Sequence, residues 1–306
     1  MYSPKISIVT PTYNRVDSLK KTVDCIFKQT YKNIEYIIIN DGSVDGTEEY
    51  LETIKHKAVI LNRENSGQVN TLNHGWELSS GEYITYLSDD DILYPQAIEK
   101  LMQEIVSNPD VACVYPDANL IDINDVLVRK NVCKETIYED LIIKQHCFIG
   151  PGAIFRKDHY LQVGRWNSEY LIAPDREFWM RLGLLGQIKF HKEVLSDYRI
   201  HSDSGSVKNI NEIRMQEYIC VLDDYFNRPG IPVCISDRKN EAYSNAYLLI
   251  ASACLNGWAF WQAILYVKKS FQFDSKNITF KNLYVLIRSG FSPHVRKLLW
   301  KLGVSK

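Results

Sequence analysis

The stretch "IEYIIINDGSVDGTEEYLE", residues 34–52, decides how the first half of the chain is read. As a pattern, its second part fits a calcium loop. Asp41, Ser43 and Asp45 take positions one, three and five, Gly46 takes six and Glu52 takes twelve. An EF-hand loop needs a helix running in. "IEYIIIN" is instead an isoleucine-rich run without helical period, the pattern of a buried strand. Position eight, ordinarily apolar, is Glu48, and no second loop of this kind occurs in the chain. The stretch therefore reads as a strand ending at Asn40, a tight acidic turn and a helix starting near Thr47. Such a βα junction is where open α/β sheets place their ligand sites.

The same alternation extends to both sides. Strand patterns at 5–10, 34–40, 58–62, 82–88 and 111–115 are separated by helix patterns at 18–29, 47–56, 69–79 and 95–107. Strands alternating with helices imply a mostly parallel sheet covered on both faces. From 116 the pattern loosens. "DANLIDINDVLVRK" predicts an antiparallel hairpin turning at Asn124-Asp125, followed by helical pieces near 136–145, 157–163 and 175–185 and a strand at 193–200. Beyond 209 the chain reads helical throughout, so the expected division is 1–208 and 209–306. Residues 242–267 carry no charge and are long enough to cross a bilayer, but Asn256-Gly257 interrupts them. Two antiparallel helices are the expected form.

Composition narrows the function classes. Thirty-six basic and 37 acidic residues give a net charge of −1, with no general attraction to nucleic acid. Seven scattered cysteines with no Cys-x-x-Cys pair suit a reducing cytoplasm better than a disulfide framework or a zinc site. The first residues show neither a basic region nor a long apolar run, so no signal peptide is expected.

The strongest chemical signal is "YLSDDDILYP", where Asp89, Asp90 and Asp91 follow a strand. Adjacent carboxylates repel, so the turn favours a shared cation or a donor-rich ligand, and hard oxygens suit Mg²⁺ or Mn²⁺. The alternative is a solvated turn capping a helix. "PTYNR", "NDGS" and "SDDD" follow the first, second and fourth strand patterns and should project from one edge of the sheet. No glycine-rich phosphate loop appears at any of them, so a metal could neutralise a diphosphate instead.

Together with "ISIVTPTYNR", "NSGQVNTLNHGWELSSGEYITYLSDDDILYP", "DREFWMRL" and "YRIHSDSGS", these motifs resemble glycosyltransferase family 2, over roughly residues 4–205 and in the family's order. The resemblance implies a GT-A fold, a mostly parallel sheet flanked by helices, here with an all-helical C-terminal extension. It also implies an inverting transferase that uses a nucleotide-diphosphate sugar, usually UDP- or GDP-linked, and Mn²⁺ or Mg²⁺. Carried over, Pro11, Thr12 and Tyr13 line the nucleoside pocket, Asp41 reads the base and Asp45 lies on the same turn. Asp89 and Asp90 match the nucleotide and metal motif, with Asp90 the metal ligand and Asp91 beside it. Ser88 stands where the family commonly has its first aspartate, which leaves open which aspartate meets ribose and which metal. Asp175 matches the catalytic base, and an N-cap role for it is compatible with that. His201 matches a position that in some relatives meets metal or diphosphate, the alternative being a structural role. The implied acceptor is a saccharide or lipid-linked saccharide in surface-polysaccharide synthesis. The rival from another class is a non-catalytic sugar-nucleotide or polysaccharide-binding module. Residues 281–306 mix Leu, Ile, Phe and Trp with Lys and Arg. They read either as a peripheral contact with the inner face of a membrane or as packing against the core or a second copy.

Overall fold

The computed structural model describes residues 3–200, 212–257 and 259–277. They divide into two compact units: Met1–Tyr138 with Cys147–Glu169 and Pro174–Ser202, and Glu139–His146 with Tyr170–Ala173 and Asp203–Lys306.

The first unit opens with the expected alternation: β1 (Ile6–Thr12), α1 (Val16–Phe27), β2 (Ile34–Asn40), α2 (Thr47–Ile54), β3 (Val59–Asn62), α3 (Gln68–Leu78) and β4 (Tyr83–Tyr86). It continues through β5 (Ile92–Leu93), α4 (Ala97–Ser107), β6 (Val111–Ile121), β7 (Leu127–Arg129), β8 (Ile154–Arg156), α6 (Lys157–Val163), α7 (Pro174–Leu182) and β9 (Gln187–Arg199), while α5 (Tyr138–Ile143) falls in the second unit from Glu139 on. A strand, not a helix, therefore runs into the Asp41 turn, as the isoleucine run requires.

The sheet order is β3-β2-β1-β4-β8-β6-β9-β5, with β7 beside β6. The first four strands pair in parallel, and every residue of β1 is buried between β2 and β4. Helix α1 covers the sheet with Leu19, Val23 and Ile26, and α4 does so with Ile98, Leu101, Met102 and Ile105. Each such side chain contributes about 1.5–3 kcal/mol of burial. At Gly75 of α3 a Cβ would lie 2.3 Å from Val9 Cγ1, so only glycine lets α3 settle this closely on β1.

Past the acidic turn the sheet becomes mixed. β8 is antiparallel to β4 and β6, and β5 is antiparallel to β9. β5 was not foreseen: α4 starts at Ala97, not Pro95. The Tyr94 amide donates to the Leu195 carbonyl at 2.8 Å and the Pro95 carbonyl accepts from Thr30 N at 2.8 Å, so strand and loop contacts take the backbone there. The expected hairpin forms between β6 and β7. Asp125 at φ 64° makes the turn, and Asp122 Oδ1 accepts from the Asn124 and Val126 amides at 2.8 and 2.9 Å.

The second unit is all helical among the described residues: α8 (Glu212–Met215), α9 (Glu217–Phe226), α10 (Val233–Ser236), α11 (Lys239–Asn256) and α12 (Phe260–Phe273), with a 3-10 turn at Ser275–Asn277. α11 and α12 pack antiparallel. Tyr243 stacks on Phe273 with centroids 5.2 Å apart, the Ser244 and Ser270 hydroxyls are 2.7 Å apart, and Tyr247 stacks on Tyr266 at 6.2 Å. The break falls at Asn256-Gly257, as the sequence indicated. No helix among the described residues is long and apolar enough to cross a membrane. His201 and the 281–306 segment lie outside the described residues.

Candidate active site

The carboxyl ends of β1, β2 and β4 are brought level by their register, in which Thr12 is opposite Asn40 and Val9 lies between Ile37 and Tyr86. The Leu87 amide then donates to the Val9 carbonyl at 3.0 Å, which delivers the acidic turn to the end of β1. Asp89, Asp90 and Asp91 are 6%, 7% and 3% exposed, so three adjacent carboxyls are buried together. Cations and donors make this tolerable. Thr12 Oγ1 donates to Asp89 Oδ2 at 2.7 Å, and Arg15 Nη1 lies 2.7 Å from Asp90 Oδ2 and 3.4 Å from Asp89 Oδ1. From the other side, Arg199 donates its amide to Asp91 Oδ1 at 2.9 Å and its Nε to the Asp90 carbonyl at 2.8 Å. Burial pushes the Asp89 carboxyl up to about 6, against the pull of Arg15 and Thr12. Burial, together with the charge of Asp90, raises Asp91 well above the usual carboxylate range.

The neighbouring turn is tied down by backbone. Asp41 Oδ1 accepts from Ser66 N at 3.0 Å and Ser66 Oγ at 3.2 Å, and Oδ2 accepts from Gly67 N at 2.9 Å. Gly67 has φ 85° and ψ 159°, a conformation almost confined to glycine, and it opens α3 directly under this carboxylate. Arg63 Nε approaches Asp41 to 3.7 Å. Asp45 is exposed. Its Oδ2 accepts from Val16 N at 3.0 Å, and its Oδ1 accepts from Thr47 N at 3.2 Å and Thr47 Oγ1 at 2.6 Å. Asp45, one residue ahead of the N-cap Gly46, thus holds the first residue of α2 and fastens it to the start of α1.

Asp175 occupies the first turn of α7 and is half-buried. Burial raises its carboxyl above the ordinary carboxylate value, only partly offset by Arg176 and the helix-start amides. Its surroundings include Tyr86, the last residue of β4. The Tyr86 hydroxyl is pushed well up, first by burial and then by the charges of Asp175 and Asp91, so one side chain lies within electrostatic reach of both carboxyls. The helix bearing Asp175 is held rigidly. Phe178 stacks on Trp76 at 5.6 Å, Arg181 pairs with Glu177 at 2.5 Å, and Arg181 also donates to the Gly164 and Arg165 carbonyls at 3.2 and 2.9 Å.

Of the residues singled out by sequence, Thr12, Asp89 and Asp90 come together directly, and Asp91 anchors the back of the same turn. Pro11 is buried in β1, Tyr13 is half exposed beyond it, and Ser88 starts the acidic turn, its carbonyl accepting the Asp91 amide at 3.2 Å. Arg15 and Arg199 were overlooked. Arg15 was visible in "PTYNR", but its partners lie some 75 positions away. Arg199 stands 109 residues from Asp90. A cavity of 650 Å³ beside α3 is lined by Arg63, Asn70, Asn73 and His74 among others, and includes none of Thr12, Asp89, Asp90 or Asp175.

A parallel half-sheet with acidic turns on its carboxyl edge, followed by a mixed half and a carboxylate on a flanking helix, is the GT-A arrangement. Residues 7–164 match the model of glycosyl transferase family 2, and the chain belongs to that family. An uncharacterised glycosyltransferase of Rickettsia typhi is 31% identical over 229 residues, 71% of this chain and 70% of its own length. Among solved structures, S. aureus TarS 1–349 in complex with UDP-GlcNAc has a TM-score of 0.63 at 14% identity, covering 90% of this chain and 93% of that one. The mannosyltransferase PcManGT of Pyrobaculum calidifontis, in complex with GDP-Man and Mn²⁺, has a TM-score of 0.62 at 17% identity, covering 94% and 79%. At these identities the structural likeness is one of fold.

Proposed function

We propose that this glycosyltransferase transfers a hexosyl or N-acetylhexosaminyl group from a UDP-linked donor to a hydroxyl of a saccharide or lipid-linked saccharide, with inversion, in bacterial surface-polysaccharide synthesis at the cytoplasmic face of the membrane. The observation that carries the reading is the pair of ends: a cation-holding acidic turn and, across Tyr86, a half-buried carboxyl whose proton affinity is raised. The UDP-GlcNAc and GDP-Man complexes of the two structural neighbours support a nucleotide-sugar donor.

The residues fit a divalent ion. Asp89 and Asp90 already share one cation, the Arg15 guanidinium. Among the described residues no group of three His, Cys, Asp or Glu converges as a ligand set. Mg²⁺ or Mn²⁺ held by one or two carboxylates, with phosphate and water completing the shell, needs none. Charge points the same way. On the outer side Asp89 and Asp90 face the single Arg15 guanidinium, and a diphosphate would add further negative charge. Like charges 4 Å apart cost about 4 kcal/mol at an effective dielectric of 20. Asp90, with Asp89 beside it, would hold the ion. Asp91 has only its second oxygen to offer, and His201 is proposed as a further contact. When bound, Mn²⁺ or Mg²⁺ supplies the countercharge that makes the diphosphate a competent leaving group.

The chain's own residues then divide the work. Pro11, Thr12 and Tyr13 border the nucleoside, and Asp41 reads the base through lone pairs left by its three amide and hydroxyl donors. Ser88 and Asp89 meet ribose and diphosphate, and Asp45 shapes the pocket by fixing two loops. The acceptor oxygen attacks the anomeric carbon opposite the diphosphate, and that carbon's bond to the diphosphate oxygen breaks with its electron pair leaving on the oxygen. Asp175 takes the acceptor's proton. A panel of sugar nucleotides with detection of released UDP or GDP tests the reading. UDP release dependent on Mn²⁺ or Mg²⁺, with inverted product, is expected. Tight donor binding without turnover across a range of acceptors would instead mark a binding module.

A further inference from the structure

We propose that the outer face of α12 is a docking surface for an anionic lipid membrane. This assignment depends neither on the transfer chemistry above nor on residues 281–306. One face of α12, carrying Ala263, Tyr266 and Ser270, is buried against α11. The opposite face is apolar yet open: Phe260, Trp261, Ile264, Leu265 and Phe271 are 48%, 80%, 58%, 59% and 55% exposed. At 100° per residue, Trp261, Ile264, Leu265 and Lys268 follow i, i+3, i+4 and i+7, and Phe271 continues the stripe one turn on. Large exposed side chains gathered on one helix face, rather than scattered, mark an interaction surface.

Charge identifies the partner. From residue 259 to 277 the sequence has three Lys and a single acid, Asp274, while the whole chain has net charge −1. A positive segment on an otherwise acidic chain complements a negative surface. The position of Lys268 separates lipid from protein. It is exposed in the middle of the apolar stripe, between Leu265 and Phe271. Protein interfaces deplete lysine at their cores. A helix lying in a headgroup layer can bury the aliphatic stem of such a lysine while its ammonium meets lipid phosphate. Trp261, with an apolar ring and a polar N–H, suits the same depth. Lys269 is held differently, its ammonium lying 5.1 Å from the Tyr266 ring centre and 5.6 Å from that of Tyr247.

The test is co-sedimentation of the full-length protein with vesicles of phosphatidylcholine, alone or mixed with phosphatidylglycerol. Binding to the mixed vesicles only, weakened by salt, is expected. The double variant Trp261→Glu/Leu265→Glu should lose about tenfold or more in vesicle affinity, with donor-dependent UDP release and circular dichroism unchanged. Lys268→Glu, a single exposed change that leaves the apolar side chains in place, should lose severalfold. Equal binding by wild type and both variants overturns the proposal, as does wild-type binding to neutral and anionic vesicles alike. A wild-type dimer that the double variant renders monomeric, with no vesicle binding by either, would assign the face to a second copy. None of these outcomes bears on whether sugar is transferred, so docking and chemistry fail separately.

Discussion

Two acidic turns leave adjacent parts of one sheet edge, and they use their carboxylates differently. After β2, Asp41 and Asp45 accept from backbone amides of residues 66, 67, 16 and 47. After β4, Asp89 and Asp90 are held on their outer side by the side chain of Arg15, which is about a third exposed. An amide bound to a carboxylate is part of the chain path and cannot leave without moving it. A guanidinium on a flexible stem can exchange one anion for another. The first turn is therefore a wall fixed to the chain path, while the carboxylates of the second rest in part on a side chain that can move. Sequence alone presents both as acidic loops after strands.

Four outcomes would sharpen or break this contrast, and the largest concerns the carboxyl that belongs to neither turn. Asp175→Asn should cut transfer about a hundredfold or more while donor affinity is retained. Initial rates with calorimetry in parallel check it. Loss of affinity together with rate would make Asp175 only a structural residue of the first turn of α7, and near-normal turnover would remove it from the chemistry.

Next in size, Asp90→Ala should weaken donor binding by about tenfold to a hundredfold and abolish its sensitivity to chelator, as read by titration with UDP. Equal UDP affinity of the wild type with and without chelator would contradict a metal at this turn. The same titration with Ca²⁺ alone should show no micromolar binding at Asp41–Glu52.

The pH dependence is smaller and has a definite sign. Asp175 has a raised proton affinity, so kcat/KM should fall as pH drops through a value above the ordinary 3.8 and the base becomes protonated. For stability the sense is reversed. A carboxyl whose folded pKa is raised gives its full contribution below the unfolded value, and that contribution is lost as pH rises through the folded one. Asp175→Asn should therefore be the more stable protein at neutral pH, by about 2–4 °C in Tm for each kcal/mol of burial cost removed. A lower Tm for the variant would show that the carboxylate is net stabilised where it sits.

The smallest effect belongs to the fixed wall. Asp45→Ala removes the hydrogen bonds to Thr47 and the tie to Val16, and should cost about 1 kcal/mol in denaturant unfolding with little change in donor affinity. The contrast between the turns fails if Asp45→Ala weakens donor binding as much as Asp90→Ala does.

The sequence by itself determined the local rules. The isoleucine-rich stretch 34–40, with no helical period, left a buried strand as the only economical reading, and that dismissed the calcium loop despite its matching acidic positions. The helical break at Asn256-Gly257 and the hairpin turn at Asn124-Asp125 were equally legible, because turn residues act through their own backbone preferences. Three consecutive aspartates announced a turn that needs cations or donors around it, which Arg15 and Thr12 supply, and the ordered motifs announced the family. What only the tertiary structure decided is pairing between distant residues. Nothing local marks Arg15 as the partner of Asp90, Arg199 as the clamp behind Asp91, or Asp45 as a brace between two loops. Nothing local, again, shows that Ile92–Leu93 leave the helix pattern to pair with β9. Short-range patterning reflects steric and burial preferences of neighbours in the chain, whereas these contacts exist only once strands have fixed their register. The open face of α12 belongs to both. Its apolar spacing is in the sequence, but only packing against α11 shows which side of the helix is left uncovered.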